Sequence, residues 1–316
     1  MKRHSLDRRN LALRLGAVPL AMLGAAWSLP GFTAQEGKRL AIITPYQSSP
    51  TTTEMIKSVV AYGATQGWKT NVVDTRGDMG QMVARFEDAV SSKVDAIVVV
   101  SIDAARIKAQ VKAAQAAKIA VFGCDSTYVT GMTATAVSDD AAMSRLITNR
   151  LFEAMGDQGN VVVFTHRPHP GVLLRTNEFF DLLKQHPKIK LLTEKHVDVP
   201  GPIESARKSM ESLLLANPQK GSIVGVWTAF DDAAIGATQA IMAAGRNEIV
   251  VTGVDGATQA VDLIRKKSPL VATVKQDFVE MGRRVGEQIT RSFNGQPATA
   301  TRIDVPAKLL TAANLS

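Results

Sequence analysis

The sequence predicts an α/β fold of two similar, open, parallel-sheet lobes, and three observations carry that prediction. Short apolar runs rich in Val and Ile recur along the chain, segments of helical period separate them, and the series starts twice, near residues 39 and 159. Strands buried on both faces read as unbroken apolar runs, and strands alternating with amphipathic helices build parallel sheets. The length of 316 residues suits two domains. With 45% hydrophobic and 21% charged residues, the composition excludes wholesale disorder and a multi-span membrane protein.

The first element in order is a leader. Residues 1–34 hold Lys2, Arg3, Arg8, Arg9 and Arg14 against Asp7, then the apolar run Leu15 to Leu29, then Pro30 to Ala34. That is the layout of a signal peptide cleaved near Ala34. The run is shorter than the roughly 20 residues of a spanning helix. Arg8-Arg9 also resembles a twin-arginine signal. Of the chain's formal +8, the leader supplies +4. The remaining +4 calls for no anionic polymer, and neither a Lys/Arg stripe nor clustered aromatics point to nucleic acid. Cys124 is the single cysteine. It allows no intramolecular disulfide and lies in an apolar run as a small buried residue.

Strands then follow at 40–43, 70–73, 96–100, 120–122, 161–164, 223–226 and 249–251. Met79, Met82, Val83, Phe86 and Val90 recur at helical spacing, as do Ile107, Val111 and Ala114. Further helices span 140–155 and 278–293, and the tail at 301–305 is strand-like. The expected organisation is a first lobe from 35–138 plus 277–300 and a second from 139–276 plus 301–316. Several crossing segments make a hinge, and a ligand belongs in the cleft.

Functional residues of open parallel sheets lie beyond the carboxyl ends of strands. Thr44, Tyr46, Gln47, Ser48 and Ser49 follow the first strand, Cys124, Asp125 and Ser126 the fourth, and His166, His169 and Arg175 the run 161–164. Trp227, Phe230, Asp231, Asp255 and Gln276 come later. Carboxylates, one Arg, a Gln, hydroxyls and an aromatic suit a neutral polyhydroxylated ligand, whose hydroxyls each donate and accept. Plain structural roles compete for some of these. Asp231 heads a helix as its N-cap, Asp255 lies in a turn, Trp227 fills a core, and the two histidines lack a third ligand for zinc. No phosphate loop, nucleophile elbow or dinucleotide fingerprint is present, so no catalytic residue, cofactor or metal is assigned.

Together these residues resemble the type I periplasmic sugar-binding proteins of ABC transporters, near the ribose-binding branch. The resemblance rests on residues 41–44 with Ser49-Pro50, on 121–125, and most strongly on 231–237, 251–256 and 271–276. It implies two lobes joined by a three-segment hinge, with Thr44, Ser49, Asp125, Arg175, Asp255 and Gln276 as ligand-contacting positions, and Gln47 and Phe230 join these as ligand-binding candidates from the strand-end reading. Arg175 follows His169-Pro170 as in the glucose/galactose branch. Ribose-binding relatives carry paired phenylalanines where this chain has Thr51 and Thr52, and Asn where it has Phe230. An aromatic has therefore left one wall of the cleft and entered the other, which points away from ribose to another pentose, a polyol, or a deoxy or branched sugar. The implied role is import of a small neutral sugar or polyol by a monomer in the periplasm, working with an inner-membrane ABC permease. A sensor subunit presenting its ligand to a membrane receptor is the alternative. The export segment stands where the lactose-repressor family has its DNA-binding helices, which argues against a repressor.

Overall fold

Two successive series of strands and helices make two six-stranded sheets. The computed structural model describes residues 37–315, so the leader predicted at 1–34 lies outside the described residues. The first series runs β1 (Arg39–Thr44), α1 (Pro50–Thr65), β2 (Lys69–Asp74), α2 (Met79–Ser91), β3 (Ala96–Val100), α3 (Lys108–Ala116), β4 (Ala120–Cys124) and β5 (Ala134–Ser138). The second runs α4 (Asp140–Ala154), β6 (Gly159–Thr165), α5 (Pro170–Leu183), β7 (Ile189–His196), α6 (Pro202–Ala216), β8 (Gly225–Thr228), α7 (Asp231–Ala243), β9 (Val250–Asp255), α8 (Thr258–Arg265) and β10 (Leu270–Lys275). Then α9 (Phe278–Phe293), β11 (Arg302–Val305) and β12 (Lys308–Thr311) complete the two lobes.

The sheet orders are β11-β5-β4-β3-β1-β2 and β12-β10-β9-β8-β6-β7. All pairings are parallel except β10 with β12. In each sheet the order reverses beside the first strand, and such switch points open crevices at the carboxyl ends. The unbroken apolarity of β3 and β6 follows from helices on both faces. Ile42, Val98 and Phe122 pack under α1 and α9, while Ile43, Ile97 and Val99 meet α2 and α3. In the second lobe Val162, Phe164 and Val226 face α6 and α7, and Val161, Val163 and Trp227 face α4 and α5. Trp227 is a core residue there. Its Nε1 donates to Thr148 Oγ1 at 3.0 Å and its ring lies 4.8 Å from that of Phe179.

The chain crosses between lobes at Ser138–Asp139, after Lys275, and between β11 and β12. The last crossing corrects the expected lobe boundary. Residues 302–305 pair with β5 in the first sheet, so the first lobe keeps the tail as far as Val305 and only the following strand returns to the second. The reason is edge coverage, since β5 and β10 would otherwise each expose unpaired backbone. Four strands escaped the sequence reading. β5 is built of small residues, β7 is largely exposed along its length, β10 is interrupted by Thr273 and ends in Lys275, and β12 is four residues long.

Helices α6 and α7 approach closely over Gly236. A Cβ there would lie 2.1 Å from the Ile203 carbonyl oxygen, which belongs to helix backbone. Gly236→Ala should therefore push the helices apart and cost about 1–3 kcal/mol, the scale of core overpacking. Chemical denaturation measures it, and an unchanged midpoint would show that the contact yields freely.

Candidate ligand-binding site

The carboxyl ends of both sheets face one cavity of about 120 Å³ between the lobes. Ser49, Thr51, Ser101 and Asp125 line it from the first lobe, and His166, His169, Arg175, Phe230, Asp232 and Asp255 from the second. Gln276 and Phe278 enter from the second crossing. Ser101, Asp125 and Asp255 all have positive φ, at 56°, 52° and 133°. Non-glycine residues adopt this region at a cost, and it concentrates at functional sites. Here it turns each chain sharply at the end of a strand.

Arg175 is the electrostatic centre of the second lobe and is almost wholly buried. Its Nε donates to Asp140 Oδ1 at 2.8 Å and its Nη1 to the Ala229 carbonyl at 2.6 Å. Asp255 Oδ1 stands 4.0 Å from Nη1. Burial alone would lower the guanidinium pKa, but Asp140 and Asp255 hold it above its ordinary value. Asp255 accepts from Gln276 Nε2 at 2.9 Å. Burial pushes its carboxyl well up, with Arg175 opposing and Asp231 adding to the rise. Burial likewise raises Asp232.

Asp231 is not the cap of its own helix. Phe230 holds the N-cap position, and Asp231 accepts instead from Ala257 N at 2.8 Å and Thr273 Oγ1 at 2.8 Å. The carboxylate thus ties the loops after β8 and β9 to β10. Gly253 is required beside it, because a Cβ there would lie 2.2 Å from Asp231 Oδ1.

In the first lobe Asp125 Oδ2 accepts from Ser101 Oγ at 3.2 Å and lies 3.2 Å from His169 Nε2. His169 is also the N-cap of α5, accepting from Val172 N at 3.4 Å. Tyr46 Oη stands 3.4 Å from His166 Nε2, and His166 Nδ1 is 2.9 Å from the Val197 carbonyl. No group of His, Cys, Asp and Glu among the described residues is arranged to hold a metal ion.

Six of the eight predicted positions, Ser49, Asp125, Arg175, Phe230, Asp255 and Gln276, meet at the cavity. Thr44 and Gln47 do not. Thr44 is buried beneath the loop, where its Oγ1 accepts from Tyr46 N at 3.1 Å. Gln47 is exposed, and its carbonyl accepts from Thr53 Oγ1 at 2.7 Å. The bend at Pro45 and the turn Tyr46–Ser49, closed by Ser49 N donating to the Tyr46 carbonyl at 2.9 Å, carry Tyr46 and Ser48 to the cavity in their place. Sequence reasoning also passed over Ser101, Asp232 and Phe278 as site residues. Ser101 directly follows β3, so the strand-end rule would have found it. Thr51 and Thr52 line one wall and Phe230 the other, with Thr52 buried and its Oγ1 3.3 Å from Ser101 Oγ.

A pair of doubly wound lobes enclosing a polar cavity defines a solute-binding protein. Residues 40–297 match the family described as periplasmic binding protein domain, and the chain belongs to that family. It is 28% identical over 253 residues to the D-apiose import binding protein of Actinobacillus succinogenes, covering 78% of each chain. It is 24% identical over 279 residues to the xylitol-binding protein of Mycolicibacterium smegmatis, covering 86% of this chain and 78% of that one. The ABC transporter solute binding protein of Agrobacterium vitis, solved with bound allitol, is 28% identical with a TM-score of 0.83, covering 89% of this chain and 97% of that one.

Burial raises Asp231 from 3.8 to about 7, so the folded state keeps this proton where the unfolded chain releases it. Its contribution to stability is present below the unfolded value and is lost as pH rises through about 7. The melting temperature of the ligand-free protein should therefore fall, relative to Asp231→Asn, between about pH 4.5 and 7.5. Parallel curves for the two proteins would contradict the assignment.

Proposed function

We propose that the chain is the substrate-binding protein of an ABC importer. It takes a small neutral monosaccharide or polyol into the interlobe cavity and delivers it unchanged to an inner-membrane permease. The protein works as a monomer in the periplasm after cleavage near Ala34. No helix among the described residues is long and apolar enough to cross a membrane.

The observation that carries this reading is the set of polar groups the fold leaves unpaired at the cavity. Gln276 spends its Nε2 on Asp255, and its buried Oε1 has no partner among the described residues. Arg175 spends Nε and Nη1 on protein acceptors, and its Nη2 donates to no acceptor among the described residues. Asp232 lines the cavity with its carboxylate free of hydrogen bonds to the described residues. A buried polar group without a partner costs about 1–3 kcal/mol, and a ligand hydroxyl that both donates and accepts can serve each of these groups. Phe230 and Phe278 offer apolar faces to the carbon skeleton. Relatives named for apiose and xylitol, and one solved with allitol, agree with this chemistry.

A thermal-shift screen of the mature protein against D-apiose, xylitol, allitol and common pentoses tests it. A ligand at about 100 times its dissociation constant should add about 2.7 kcal/mol and be recovered intact. No stabilisation by any sugar or polyol would overturn the ligand class, and turnover would overturn the transport role. Deletion of the gene should abolish uptake of the stabilising solute. Retained uptake with a lost response would instead mark a receptor subunit.

Asp125→Ala should weaken binding by at least about 2 kcal/mol, or about 30-fold, with little change in fold. Arg175→Ala removes the countercharge of Asp140 and Asp255 and should also destabilise the protein by about 3–5 kcal/mol. Calorimetric titration and melting separate the two effects. Full affinity in Asp125→Ala would remove it from the site.

A further inference from the structure

The free hydrogen-bonding capacity of the cavity is lopsided toward acceptors. Asp232 lines it with a carboxylate that takes no bond from the described residues. Asp125 spends Oδ2 on Ser101 Oγ at 3.2 Å, which leaves Oδ1 to a solute. The buried Oε1 of Gln276 is a further acceptor with no partner among the described residues. Nearby hydroxyls serve one another, Ser49 with Thr51 at 2.9 Å and Thr52 with Ser101 at 3.3 Å. A sugar hydroxyl brings an acceptor along with its donor, whereas an ammonium group brings three donors and no acceptor.

Charge is lopsided in the same sense. Among the described residues Arg175 is the one Lys or Arg at the wall, and Asp140, 2.8 Å from its Nε, already matches its charge. The histidines add no cation. His169 Nδ1 accepts the Val172 N–H at 3.4 Å, which a protonated ring could not do. Burial lowers the His166 pKa against the opposing Val197 carbonyl, with His196 and His169 adding to the fall, so that ring is neutral near pH 7. Asp125, Asp232 and Asp255 then outnumber the cations. Burial raises the Asp232 pKa, the response of a carboxylate with no counter-ion at hand.

We infer that Asp232 sets the charge selectivity of the cavity, which admits amine-bearing sugars and polyols alongside neutral ones and bars anions such as aldonates and sugar phosphates. The inference rests on the ligand-binding reading above. An ammonium group beside Asp232 supplies the missing counter-charge, and the rings of Phe230 and Phe278 at the same cavity attract a cation through their quadrupoles. A carboxylate in its place meets Asp232 and Asp125 as like charges, with Arg175 already committed to Asp140 and Asp255. The competing role for Asp232 is that of an acid in the first turn of α7, where it complements the helix dipole. That role bears on stability and is blind to the charge of the solute.

Calorimetric titration near neutral pH separates the two roles. The parent solute is the tightest binder among xylitol, allitol, D-apiose and the common pentoses, and it is compared with its aminodeoxy counterparts and with its aldonate. The wild type should bind the best amine at least as tightly as the parent, and the aldonate at least about tenfold more weakly, well within what a unit charge a few ångströms away exerts at a protein's effective dielectric. Asp232→Asn should weaken the amine about tenfold and bring the aldonate to within about threefold of the parent, whose own affinity should change less than about threefold. Asp232→Glu keeps the charge and should keep the wild-type ranking. Added salt should weaken the amine and leave the parent unchanged.

Equal affinity of the wild type for parent and aldonate, or an Asp232→Asn change that moves all three solutes alike, would overturn the selectivity while leaving the sugar-binding reading intact. Failure of every parent candidate to bind would strike the ligand class itself, and the selectivity would fall with it.

Discussion

The buried Arg175 guanidinium is the interaction on which the rest of the site depends. Asp140, its closest carboxylate partner at 2.8 Å, is the first residue of α4 and lies one position beyond the first interlobe crossing. Asp255, its second, is bonded to Gln276 at the second crossing. One cation thus ties two of the three connecting segments to the floor of the cavity. Burying such a group demands compensation by opposite charge and filled hydrogen-bond geometry, and the second lobe is organised to supply it. The Ala229 carbonyl, the Asp140 carboxylate and the positive φ of Asp255 all serve that end.

This arrangement couples recognition to hinge position. Gln276 and Arg175 line the cavity and also anchor the crossings, so under the proposed function a solute bonded to either would act directly on the connecting segments. Asp231 stands behind this layer. Its two accepted bonds hold the loops after β8 and β9 against β10 and keep Asp255 in place without touching the cavity. Between the lobes the contacts are of a different kind, with Tyr46 Oη 3.4 Å from His166 Nε2 and His169 Nε2 3.2 Å from Asp125 Oδ2. The Arg175 cluster is charged and buried, while the Tyr46–His166 hydrogen bond is long.

Much of this was legible in the chain. Helix-covered parallel strands leave unbroken apolar runs, so the central strands and the two-lobed repeat could be read from stretches such as 96–100 and 161–164. The rule that function follows strand ends brought out Asp125, Phe230 and Asp255, while Gln276 closes the segment 271–276 on which the resemblance rests. Edge strands were less legible, because β7 is largely exposed and β5 is built of small residues, and neither leaves a strong apolar signal. The tail was misassigned in part, since strand-like residues do not state which sheet edge needs covering.

Residue type and order by themselves determined the fold class, the doubled architecture and the polar character of the cleft, because burial on both faces of a sheet constrains composition locally. Only the tertiary structure decided which strand-end residues reach the cavity. Thr44 and Gln47 turn away while Tyr46 and Ser48 turn in, through a bend at Pro45 and a following turn whose direction no local pattern encodes. It also decided that Asp231 braces loops instead of capping a helix, and that His169 meets Asp125 across the cleft. These pairings join residues far apart in the chain, as with Ser101 and Asp125 or His169 and Asp125. Their geometry exists only once both lobes are packed and the three crossings have set one against the other.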